Sequence, residues 1–154
     1  MAQAQKQVRI IEPLERFVNR INLVGCYARV SSDSEDQLNS YNNQVDFYES
    51  YVNSLENSKL VKIYTDEGIT GTRMDKRDGF LQMIEDCRKG LINRIITKSI
   101  SRFARNITET LSVVRELKSI GVSVYFMTEK IDTAKMGSEM MLAVYAACAE
   151  IESK

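Results

Sequence analysis

Histidine is absent from this chain. That removes both the usual general base and the usual metal ligand. Net charge is absent too: 21 lysines and arginines balance 21 aspartates and glutamates. A bulk positive field therefore cannot draw the chain to nucleic acid, and any such binding needs charge concentrated at one site or another domain. The three cysteines, Cys26, Cys87 and Cys148, form no CxxC pair and each lies in an apolar pattern. They read as buried, unpaired, inert thiols of a cytoplasmic protein, with no metal site. No apolar run is long enough to span a membrane and Met1 opens no signal peptide, so no membrane partner is expected. Neither GxGxxG nor GxxxxGK[ST] occurs, so no nucleotide cofactor is expected.

What is present is a domain-sized chain of 154 residues with an alternating pattern of strands and helices. Residues 1–20, which hold the only proline, Pro13, read as an N-terminal extension. Residues 21–137 read as the core domain. Ile21 to Arg29 is an apolar strand, and a helix follows from Gln37 to Leu55. That helix has Leu38, Tyr41, Val45, Tyr48, Val52 and Leu55 on its buried stripe. A short strand spans Leu60 to Tyr64, and Asp66 to Asp78 reads as a loop that stays mobile until it meets an anion. A helix from Gly79 to Lys89 buries Phe80, Met83, Ile84 and Cys87 and stops at Gly90. The strand Ile92 to Thr97 leads to a helix, Ile107 to Ile120, capped by Asn106 and stopped by Gly121. Val122 to Met127 is the last expected strand. Residues 138–154 read as the start of a long helix, apolar at Met140, Met141, Val144, Ala147, Cys148 and Ile151 and carrying no stop signal. The alternation predicts an α/β fold: a mainly parallel open sheet of about four to five strands with helices on both faces.

Ligands of such sheets bind beyond the carboxyl ends of the strands. There the chain places Arg29 and Ser31 after the first strand, Asp66 and the loop with Arg77 after the second, and Ser101, Arg102 and Arg105 after the third. One hydroxyl and several guanidiniums converge on one rim. Arginines at a helix start oppose its dipole, which an anion bound between them would explain. A serine, several arginines and no histidine suit attack on a phosphodiester. Guanidiniums are always charged and each holds two phosphate oxygens, so a cluster steadies the more anionic transition state. Asp66 or Glu67 is available as proton acceptor, and the sequence does not choose between them.

Taken in order, Tyr27-Ala28-Arg29-Val30-Ser31-Ser32, Ser40-Tyr41-Asn42-Asn43-Gln44, Tyr64-Thr65-Asp66-Glu67-Gly68-Ile69-Thr70-Gly71, Arg77-Asp78-Gly79-Phe80 and Ser99-Ile100-Ser101-Arg102-Phe103-Ala104-Arg105-Asn106 resemble the successive blocks of the serine recombinase catalytic domain. The likeness runs from about residue 22 to 154 and is nearest the large integrase and transposase branch. The resemblance implies that Ser31 is a nucleophile that becomes linked to a DNA 5′ end. It implies that Arg29, Arg77, Arg102 and Arg105 surround the scissile phosphate, with Gln44 and Asp66 in support. Ser101 stands where smaller resolvases carry an aspartate, so no acidic role passes to it; the role of Gln37 stays open. The resemblance also implies DNA as partner, homodimers that assemble into homotetramers on two DNA sites, and chemistry without metal or ATP. It implies that the helix from Ser138 is an oligomerisation helix leading to C-terminal DNA-binding domains, in a protein of bacterial, phage or mobile-element origin. Two other classes fit parts of the pattern. One is a catalytically silent doubly wound domain that binds a phosphorylated ligand or a protein partner. The other is a metal-dependent nuclease using Asp66, Glu67 and Asp75.

Overall fold

The computed structural model describes residues 20–31, 34–68, 77–104, 106–135 and 137–152; for residues 31, 34–40, 68, 146 and 148–152 it describes the backbone alone. Strands β1 (Asn22–Ser31), β2 (Ser58–Gly68), β3 (Arg94–Thr97), β4 (Ser123–Phe126) and β5 (Ile131–Asp132) form one sheet in the order β2-β1-β3-β4-β5. The first four are parallel, and β5 turns back antiparallel on β4. Helices α1 (Ser34–Asn53), α2 (Asp78–Arg88), α3 (Ile100–Phe103), α4 (Ile107–Ser119) and α5 (Ser138–Glu152) occupy the connections and the end.

Side chains of a strand alternate between sheet faces, and β1 uses both. Val24, Cys26 and Ala28 pack with Ile96 against Tyr48 and Val52 of α1. Tyr27 joins the other and larger core with Phe80, Met83 and Cys87 of α2, Phe103 of α3, Val114 and Leu117 of α4, and Leu142 of α5. A strand covered on both faces reads as a continuous apolar run, which is why β1 was conspicuous in the sequence. Helices α2 and α4 end as their glycines predict, with Gly90 and Gly121 at φ of 78° and 83°.

Several expectations are corrected. Strand β1 runs on to Ser31, so this serine ends the strand rather than following it. Strand β2 extends from Ser58 to Gly68 because β1 pairs with it along its whole length, and Asp66 and Glu67 therefore belong to a strand, not a loop. Strand β3 begins only at Arg94, and β4 is trimmed to Ser123–Phe126. The short elements α3 and β5 carry too little periodicity to be seen in sequence. Tyr41, expected in the core, is 40% exposed. Residues 69–76 of the expected mobile loop, Arg105, the Cys148 side chain and residues 1–19 lie outside the described residues. Arg20 is anchored: its guanidinium donates to the carbonyls of Gly121 (2.5 Å) and Asn93 (2.6 Å). Among the described residues no helix is long and apolar enough to cross a membrane.

Candidate active site

A sheet of order 2-1-3-4-5 opens a crevice between β1 and β3, where the connections leave toward opposite faces. Here the crevice is deepened by unequal lengths. Thr97, the last residue of β3, sits level with Tyr27, whereas β1 continues to Ser31 alongside Gly68 of β2. The free flank of the β1 end is met by α3. Arg102, on that helix, directs Nη1 at the Arg29 carbonyl (3.4 Å). Gln44 of α1 donates Nε2 to the same carbonyl (3.2 Å). Two residues upstream, the Tyr27 carbonyl accepts from the hydroxyls of Tyr48 (3.1 Å) and Thr97 (3.2 Å). Strand β1 is thus tied to α1 and to the β3 exit just ahead of Ser31. There the side chains of Gln44 and Arg102 meet on the backbone carbonyl of Arg29.

Asp66 pairs in register with Arg29, but its side chain is turned to structural use. It is 8% exposed and accepts three hydrogen bonds: from Tyr27 Oη (2.7 Å), Gly79 N (2.7 Å) and Phe80 N (2.9 Å). It therefore caps α2, whose first turn exposes unpaired N–H groups. Three of about four acceptor positions of a carboxylate are filled. Burial, together with the bond to Asp66, pushes the Tyr27 phenol well above its ordinary range. Gly79 is obligatory because a Cβ there would lie 2.3 Å from the Thr65 carbonyl oxygen.

Arg77, expected beside a phosphate, lies inside the protein, with its side chain 9% exposed. Its guanidinium stacks 3.8 Å from the Phe80 ring centre, pairs with Glu109 Oε1 (3.1 Å) and donates to the Phe103 carbonyl. Ser101 is exposed, its hydroxyl 3.1 Å from that of Ser99. Helix α3 is a single turn. Ile100 and Phe103 bury one side of it, and Glu129, from the turn between β4 and β5, accepts from Ile100 N (3.1 Å). Asn106 caps α4 as predicted, accepting from Glu109 N (2.8 Å).

Sequence reading placed Tyr48 in the core, as found, without its bond to the Tyr27 carbonyl, and missed Glu109 and Glu129. Glu109 had a signal, since Asn106-x-x-Glu109 has the spacing of a capping box. Glu129 had none. Among the described residues no cluster of three or more histidines, cysteines or carboxylates could hold a metal ion.

Comparison with known proteins places these observations. Residues 24–154 match the family model described as Resolvase, N terminal domain. The transposon Tn552 resolvase of Staphylococcus aureus is 31% identical over 134 residues, covering 82% of this chain and 57% of that protein. The Tn552 DNA-invertase BinR of the same species is 31% identical, covering 82% of this chain and 59% of that protein. The crystal structure of a resolvase family site-specific recombinase from Streptococcus pneumoniae aligns with a TM-score of 0.67 at 28% identity, covering 86% of this chain and 88% of that one. The chain thus spans less than two thirds of the length of the curated relatives it matches.

Proposed function

We propose, from the fact that this chain belongs to the resolvase family, that it cuts and rejoins DNA in site-specific recombination, with Ser31 as the nucleophile. The observation that carries the reading is the meeting of Arg102 and Gln44 on the Arg29 carbonyl, two residues before Ser31, at the crevice of the sheet. In the first step the Ser31 oxygen attacks the scissile phosphorus. A P–O bond forms to serine, the bond to the DNA 3′ oxygen breaks, and a proton ends on the 3′ hydroxyl. The second step is the reverse attack by a 3′ hydroxyl of another end, which restores the serine. One phosphoester replaces another at each step, so the bond energy is kept and neither ATP nor metal is required. The guanidiniums of Arg29, Arg102 and Arg105 serve the charge that grows on the phosphate, each offering a two-point fork. Gln44 and Asp66 hold the frame, and Arg77 acts from within it.

Helix α5 shows a surface suited to assembly of copies. Met140 is 73% exposed, and Met141, Val144 and Tyr145 are also exposed. An apolar helical face of this kind is a natural dimer seam, from which tetramers form on two DNA sites. With net charge zero, sequence recognition is assigned to DNA-binding domains outside these residues.

The test is covalent trapping. The full-length protein, incubated with a nicked DNA that cannot be religated, should carry DNA on Ser31, identified by peptide mapping. Ser31→Ala should abolish the adduct and leave DNA binding intact, and Arg102→Ala should slow its formation by about 10²-fold or more. An adduct on another residue, or cleavage at normal rate by Ser31→Ala, would refute the proposal.

A further inference from the structure

Resting on that reading, we infer that Glu129 and Arg77, the latter held by Glu109, are positioning residues that clamp the two ends of α3 and so set where Arg102 stands. A four-residue helix does not support itself, because one turn fixes several dihedrals for one or two hydrogen bonds. The contact of Arg102 with the Arg29 carbonyl, at 3.4 Å, is too long to hold it. Burial of Ile100 and Phe103, the latter edge-on to Phe80 and Phe126, docks one face of the turn, and its two ends are fixed by charged side chains from other elements. At the start, Glu129 Oε1 accepts from Ile100 N (3.1 Å). At the finish, Arg77 donates to the Phe103 carbonyl while its other arm pairs with Glu109. The signs match the exposed N–H groups at the start and carbonyls at the end of a helix.

The clamps are themselves anchored. Arg77 lies on the Phe80 ring, and Phe80 N is held by Asp66, a β2 residue. The turn that carries Glu129 is zipped to the exit of β3, with Met127 N on the Thr97 carbonyl (3.0 Å) and Thr128 N on the Lys98 carbonyl (2.8 Å). Lys130, the next residue, has φ of 56°, a left-handed conformation that non-glycine residues seldom adopt. The clamp therefore relates α3 to β2 on one side and to the β4 exit on the other. Glu129 and Glu109 act on the phosphate only through the arginine-bearing turn.

Two measurements on the full-length protein test this. The first is amide hydrogen exchange across Ile100 to Ala104. Glu129→Ala should deprotect this segment, and Glu129→Gln, whose side-chain carbonyl still accepts from Ile100 N, should restore most of the protection. The second is the single-turnover rate of Ser31 adduct formation at saturating DNA. Glu129→Ala should slow it about 10- to 100-fold with unchanged DNA affinity, and Glu129→Gln should recover most of the loss. Added to Arg102→Ala, Glu129→Ala should cost nothing more, because both remove the same guanidinium from its place. Losses that multiply, a Gln variant no better than Ala, or unchanged exchange over the segment would overturn the clamp. A wild-type protein that forms no Ser31 adduct would overturn the recombinase reading, while the exchange measurement would still decide the clamp.

Discussion

Replacing Asp66 should separate a cap from a catalyst. The carboxylate satisfies three buried donors: the Tyr27 hydroxyl and the N–H groups of Gly79 and Phe80. Asp66→Ala strands all three. A buried donor without a partner costs about 1–3 kcal/mol, but the three losses overlap and water enters part of the gap. With that overlap the three stranded donors give an expected loss of about 3–5 kcal/mol for Asp66→Ala. In Asp66→Asn one oxygen remains for Gly79 N. The Tyr27 hydroxyl can rotate and accept from the new amide. Phe80 N alone then faces an NH₂ group, for a loss of about 1–3 kcal/mol. At roughly 2–4 °C per kcal/mol for a chain of this size, melting should fall by about 6–20 °C for Ala and by about 2–12 °C for Asn. Urea unfolding followed by circular dichroism gives the free energies, and adduct formation measured well below the melting temperature gives the chemistry. A loss under about 1 kcal/mol for Asp66→Ala would show that the N–H groups need no cap. If Asp66→Asn kept most of its stability yet lost adduct formation as completely as Ser31→Ala, the carboxylate would be a proton acceptor and the structural assignment would fail.

Three further outcomes follow from the same packing. Gly79→Ala should cost about 3 kcal/mol or more, because its Cβ would meet the Thr65 backbone at 2.3 Å; Gly90→Ala, with open space around it, should cost only the roughly 1 kcal/mol of its left-handed φ, and equal melting shifts would contradict this. The Tyr64 hydroxyl (2.5 Å), first, and Gln82 Nε2 (2.9 Å) hold the Asp86 carboxyl below the usual carboxylate range. Its contribution to stability is complete above the unfolded value of about 3.9 and is lost as pH falls through the folded one, so urea midpoints taken from pH 6 to 2.5 should fall less steeply in Asp86→Asn than in the parent. Burial pushes the Cys26 and Cys87 thiols up to about 12, so in a Cys148→Ser background neither should react with a thiol reagent at pH 7.5 until urea unfolds the protein.

The parts of this fold legible in sequence were those governed by local periodicity. Strand β1 was visible because it is buried on both faces, and α4 because Asn106 and Gly121 punctuate it. That residues following β1 and β3 meet at one end of the sheet was legible from chain order, since parallel strands all end on the same side. What stayed hidden depends on partners distant in sequence. Asp66 looked like a loop acid because its donors on α2 lie past a stretch of glycines and charges, and because the pairing of Arg29 with Asp66 is a matter of register. The burial of Arg77 was hidden because nothing near it announces Glu109, 32 positions away. Tyr41 fitted the helical stripe of Tyr48 and Val52, but it lies nearer the start of α1 and remains 40% exposed.

The place of β1 between β2 and β3 also bears on the order in which the protein comes into being. This strand leaves the ribosome before the rest of the sheet, yet both of its neighbours are still to be made. The turn that carries Arg102 follows about 70 residues behind Ser31, several seconds of synthesis at roughly 5–20 residues per second. Through that interval the Arg29 carbonyl waits for the side chain of Arg102. The crevice beside β1 is therefore incomplete until the sheet has closed on this strand from both sides, and a product ending before α3 would lack it.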